Sequence, residues 1–140
     1  MGKILCATRG GEQSYRTQDE AIALAKERGD TLLFLYVVDL RFLDTVAGAG
    51  VVDTKQEMIQ MGEFLVLMAK ERAAAQGVAA ETMVRVGGLE EELTYAACEQ
   101  DVSLVVMGEP AEGESVFELA DLTTCAAMIE KEADVEARIV

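Results

Sequence analysis

A length of 140 residues, 51% hydrophobic and 27% charged, suits one globular domain with a real core and leaves no room for two. With 12 basic against 26 acidic residues the formal net charge is −14. Such a field repels nucleic acid and anionic membrane surfaces, because binding either one depends on lysine and arginine releasing counterions. Histidine is absent, which excludes any triad, metalloprotease or phosphotransfer scheme that needs an imidazole.

One proline, Pro110, and no low-complexity tract argue against linkers or disorder. No internal repeat and no apolar run of roughly 18–20 residues, the length of a membrane span, is present. Met1 to Cys6 is too short for a signal peptide, and Cys6 stands where a myristoylation motif needs Ser or Thr. Cys6, Cys98 and Cys125 are odd in number and widely spaced. They are expected to be reduced, buried thiols of a cytoplasmic protein, with no paired spacing that suggests zinc.

In chain order, Lys3 to Thr8 is a short apolar run ending at Gly10-Gly11, a buried strand and a tight turn. Thr17-x-x-Glu20 is a capping-box pattern ahead of Ala21, Ile22, Leu24 and Ala25, with Gly29 as the stop. Leu32 to Val38 is the strongest strand, apolar on both faces as a parallel strand between helix layers must be. A second capping box, Thr54-x-x-Glu57, opens a long helix carrying Met58, Met61, Leu65 and Met68, expected core filler, and Gly77 ends it. Glu81 to Val86 reads as a strand, and Gly87-Gly88 turns it into a helix holding Leu89, Leu93, Ala96 and Ala97. Val102 to Met107 is another buried strand, ending at Gly108. Ser115-x-x-Glu118 opens a last helix to about Lys131, and Val135 to Val140 closes the chain as a strand.

The pattern is β-α-β-α-β-α-β-α-β, which implies an α/β fold: an open five-stranded parallel sheet with helices on both faces. Ligands of such sheets bind at the carboxyl ends of the strands near the topological switch point. The candidate places are the loop after Thr8, the end of the second strand at Val38-Asp39, and the loop after Met107. In Arg9-Gly10-Gly11, two glycines could turn backbone amides toward an anion beside a guanidinium, or could simply close a strand-to-helix turn. Neither of the standard glycine-rich dinucleotide or P-loop patterns occurs. A receiver domain would need acidic residues where Thr8-Arg9 stand, and a flavin would need aromatics that make up only 5% of the chain.

Lys3 to Thr8, Leu33 to Asp39 and Asp101 to Gly108, with Gly87 and its helix between, resemble in order and spacing the signature strands of universal stress proteins. The resemblance covers essentially the whole chain. It implies a small, Rossmann-like, cytoplasmic regulatory protein, homodimeric through the C-terminal strand, in a family many of whose members bind ATP. By position, Thr8 and Arg9 would face a nucleotide from the first loop, with Gly10 and Gly11 beside them. Val37 would offer backbone groups to the base, and Met107 and Gly108 would begin the phosphate loop.

The nucleotide-binding pattern of the family is Gly-x2-Gly-x9-Gly-Ser/Thr. After Gly108, its positions hold Ala111, Asp121 and Leu122, with Glu109, Glu112, Glu114 and Glu118 between. Side chains replace glycines where amides must approach phosphate, and carboxylates repel it. The expectation is therefore a regulatory or interaction module without ATP, AMP or metal as cofactor and without catalysis. The alternative is an adenine-nucleotide-binding protein, or an enzyme resembling the ATP pyrophosphatases through Arg9-Gly10-Gly11-Glu12-Gln13-Ser14. In the closing strand Val135, Ala137 and Ile139 alternate with Glu136 and Arg138, an edge suited to pairing with a second copy.

Overall fold

The computed structural model describes residues 2–8, 12–39, 51–99, 102–108 and 119–140, with backbone alone at 12–13, 39, 51–54 and 119–122. The Arg9-Gly10-Gly11 turn, the stretch 40–50, the acidic run from Glu109 and the Ser115 capping box lie outside the described residues.

Strands β1 (Lys3–Ala7), β2 (Thr31–Asp39), β3 (Ala80–Gly87), β4 (Leu104–Met107) and β5 (Glu136–Ile139) form one sheet in the order β3-β2-β1-β4-β5. Every neighbouring pair is parallel. Helices α1 (Glu12–Arg28), α2 (Val51–Ala75), α3 (Leu89–Glu99) and α4 (Leu119–Ala133) supply the crossovers. Strand alternation divides the core in two. Ile4, Cys6, Leu32, Phe34 and Val38 meet Ala21, Ile22 and Ala25 of α1 and Val66, Ala69 and Ala73 of α2. Leu5, Leu33, Leu35, Val105 and Met107 meet Leu89, Leu93, Ala96 and Ala97 of α3 and Cys125, Ala126 and Ile129 of α4. Helices therefore cover both faces, which is why the central strands are apolar at consecutive positions.

Both helix stops expected of glycine are found. Gly29 and Gly77 adopt φ of 71° and 78°, and the following amides, Asp30 and Val78, donate back to Ala25 O and Ala73 O at 2.9 Å each. That is the six-to-one bond of a Schellman close, in a region where a Cβ is strained.

The helix starts differ from the capping-box expectation. α1 begins at Glu12, so Thr17 lies inside it, and α2 begins at Val51, ahead of Thr54. In α1, Ser14, Thr17 and Gln18 are buried and continue the stripe of Ala21, Ile22 and Ala25. Packing of that extended stripe outweighs the local capping signal. Two burial expectations are also corrected. Cys98 is exposed while Cys6 and Cys125 are buried. Met61, on the solvent side of α2, is 55% exposed, whereas Met58 and Leu65 pack against the core. Among the described residues, no helix is long and apolar enough to cross a membrane.

Candidate functional site

The chain winds one way from β1 through β2 to β3 and the other way through β4 to β5, so the switch point lies between the carboxyl ends of β1 and β4. Thr8 leaves β1 there. Its amide donates to Leu35 O at 2.9 Å, extending the ladder by one bond, and its side chain is buried. Gln18 of α1 reaches over the strand end and donates from Nε2 to Thr8 Oγ1 at 2.9 Å. Gln18 is itself 3% exposed, and its Oε1 accepts no hydrogen bond from the described residues. A buried acceptor left in that state costs about 1–3 kcal/mol.

Gly108 leaves β4 beside this pair. A Cβ at Gly108 would collide with Thr17 Oγ1, so a side chain there would force the buried Thr17 hydroxyl to turn away. The close approach of α1 therefore favours a glycine at the start of the β4 loop without any phosphate. Thr8 and Gly108 thus meet on the α1 side of the sheet, bridged by Thr17 and Gln18.

Val37 and Met107 lie elsewhere. Both side chains belong to the opposite core layer, where Met107 is buried and Val37 is partly buried against the α3–α4 face. Their backbones still reach the strand ends, and Met107 O accepts from the Val140 amide at 2.8 Å. Arg9, Gly10 and Gly11 are outside the described residues. Asp121 and Leu122, at the positions of the family pattern's last glycine and hydroxyl, fall at the start of α4. Among the described residues no cluster of three or more Cys, Asp or Glu side chains could hold a metal ion.

Thr17 and Gln18 escaped the sequence reading as site residues. Thr17 carries a capping signal, and Gln18 has the composition of a surface position. The signal that finds them is periodic: they stand one turn before Ala21 and Ile22, on the stripe that faces the sheet.

The family model described as the universal stress protein family matches residues 1–115. Universal stress protein YxiE of Bacillus subtilis (strain 168) is 31% identical over 145 residues, covering 92% of this chain and 98% of that one. The structure of universal stress protein UspA from Lactobacillus plantarum superposes with a TM-score of 0.75 at 16% identity, covering 99% of this chain and 97% of that one. A universal stress protein in complex with cAMP gives a TM-score of 0.65 at 21% identity, with 99% and 95% covered.

Proposed function

Because the chain belongs to the universal stress protein family, we propose that it is a non-catalytic, cytoplasmic regulatory module that self-associates and does not hold ATP by the family's phosphate loop. The observation that carries this reading is the β4–α4 connection. Of the pattern's small residues it keeps only Gly108, which the close approach of Thr17 favours independently of any phosphate. The remaining positions read Ala111, Asp121 and Leu122, and four glutamates lie between Gly108 and α4. Triphosphate binding needs convergent backbone amides and positive charge, and this loop offers carboxylates. The absence of histidine supports a non-catalytic role. Self-association is supported by two sheet edges, β3 and β5, neither of which has a second neighbour among the described residues. The C-terminal strand β5 is the edge that the family resemblance favours.

Calorimetric titration with ATP, with and without magnesium, tests this after any co-purified ligand has been stripped and identified. No heat of binding is expected. Micromolar binding would overturn the reading and move the site to Arg9-Gly10-Gly11. The same titration with adenosine and cAMP separates a third case. Binding of either without ATP would mean that a base site at Val37 survives the loss of the phosphate loop; one universal stress protein of similar fold is in complex with cAMP.

A further inference from the structure

Strand β3 is an outer edge of the sheet, with no second neighbour among the described residues. Its eight residues span about 26 Å, against about 13 Å for the four residues of β5. Leu32 N donates to Ala79 O at 3.0 Å, and in a parallel ladder this turns the odd-numbered residues of β3 toward β2. The even-numbered residues Ala80, Thr82, Val84 and Val86 then present their N–H and C=O groups outward. A row of this kind is a template for an added strand.

Beside that row runs an open groove of about 520 Å³, lined by Glu63, Phe64 and Leu67 of α2 and Thr82, Met83 and Val84 of β3. Phe64 is 61% and Leu67 51% exposed. Backbone edge and apolar wall therefore meet at one place. Strand addition needs both, because main-chain bonds give affinity while pockets for alternate side chains give selection.

The charges choose the occupant. Glu63, Leu67 and Glu71 stand at i, i+4 spacing on α2, one row reading acid, apolar, acid. Both glutamates are exposed, and Lys70 beside the row leaves it net acidic. Neighbours in the row are about 6 Å apart along the helix, and residues on one face of a strand are about 6.7 Å apart. A strand laid along β3 whose alternate residues read basic, apolar, basic therefore matches the row position for position. On the other face of β3 the charges are already taken. Lys3 Nζ lies 2.9 Å from Glu81 Oε2, and Arg85 contacts Glu92 at 3.0 Å and Glu99 at 2.8 Å. That face asks no charge of an added strand. A second copy of this chain is the wrong occupant, since pairing here would bring its own acidic row against the first.

The geometry points to the β3 edge as a docking surface for a basic, extended segment of another protein, added as a further strand whose α2-facing side alternates lysine or arginine with an apolar residue. This goes beyond the reading above: it leaves β5 free for self-association and does not depend on whether ATP binds. The test is an NMR titration of the full chain, followed at its backbone amides, with the synthetic peptide Thr-Lys-Thr-Leu-Thr-Lys-Thr taken to about 1 mM. We expect the amides of Thr82, Val84 and Val86 to shift and gain protection from exchange while those of β5 stay unmoved. The isomer Thr-Lys-Leu-Thr-Thr-Lys-Thr, which carries the same charge but turns leucine to the opposite face, should bind at least about tenfold more weakly. Glu63→Lys combined with Glu71→Lys should reverse the preference, toward the first peptide with glutamate in place of both lysines. Both positions are exposed, and a gain of binding cannot come from misfolding. Equal responses to the two isomers would mean attraction to net charge alone and would overturn the inference. Unmoved β3 amides at the end of the titration would overturn it too, and either failure leaves the self-association and ATP results standing.

Discussion

Cys6 sits on the central strand with no solvent exposure, and burial pushes its thiol up to about 12. Burial, with the nearby Glu90 and Glu91 carboxylates, pushes Cys125 up to about 12 as well. Cys98, on α3, is exposed, with Sγ 4.0 Å from Glu132 O. Since the thiolate is the reacting form, a thiol reagent at mildly alkaline pH should modify Cys98 alone in the native protein and all three thiols after denaturation. Rapid modification of a second thiol would mean that a core layer opens readily. The shifts also fix a pH dependence. A folded-state pKa raised above the unfolded value of about 9 means that the native protein keeps protons the unfolded chain has given up. Stability is therefore whole below pH 9 and falls as pH climbs from 9 toward 12. Denaturant midpoints measured through that window should decline, and a flat profile would contradict the burial of both thiols. At this scale Gln18 was the hardest residue to read from sequence. Its identity predicts a solvated surface, and only its place on the apolar stripe of α1, together with Thr8 across the strand end, makes it a buried group.

Among the elements, the strands were legible because a parallel strand buried on both faces must be a continuous apolar run, as Leu32 to Val38 is. Helix ends were legible where glycine supplies φ above zero, at Gly29 and Gly77. Helix beginnings were not, because Thr17 and Thr54 satisfy a local pattern that long-range packing overrides. Gly62, inside α2, shows the same conflict in a form that can be measured. By propensity alone, alanine there should stabilise the helix by up to about 1 kcal/mol. A Cβ at that position, however, would run into the ring of Tyr36, with Cε1 and Cγ each 3.0 Å away, and Tyr36 is packed into the core under α2. Gly62→Ala should therefore destabilise, by about 1–3 kcal/mol as overpacking does. Adding Tyr36→Leu should remove most of that penalty, a coupling visible in a double-mutant cycle of denaturant midpoints. If Gly62→Ala alone raises stability, α2 is seated further from β2 than the structure places it.

For the molecule as a whole, the formal charge of −14 competes with the ion pairs that join its elements. Lys3–Glu81, Arg72–Asp19 and the contacts of Arg85 with Glu92 and Glu99 join separate elements, yet at least one partner in most of them is well exposed. Exposed pairs of this kind contribute about 0–1 kcal/mol each. Repulsion among the excess carboxylates acts over the whole surface and favours expansion of the chain. Raising ionic strength from about 0.01 M to about 0.15 M shortens the screening length from about 30 Å to about 8 Å. This spans the distances between unpaired surface charges and leaves contacts near 3 Å far less affected. The repulsive contribution should therefore fall more than the attractive one. Sodium chloride over that range should raise the melting temperature by about 3–5 °C, equivalent to roughly 1 kcal/mol for a domain of this length. Scanning calorimetry at fixed pH and fixed protein concentration decides it. A melting temperature that falls with salt would mean that the Lys3–Glu81 and Arg85 pairs outweigh the net charge, and that the acidic surface is organised into a stabilising network.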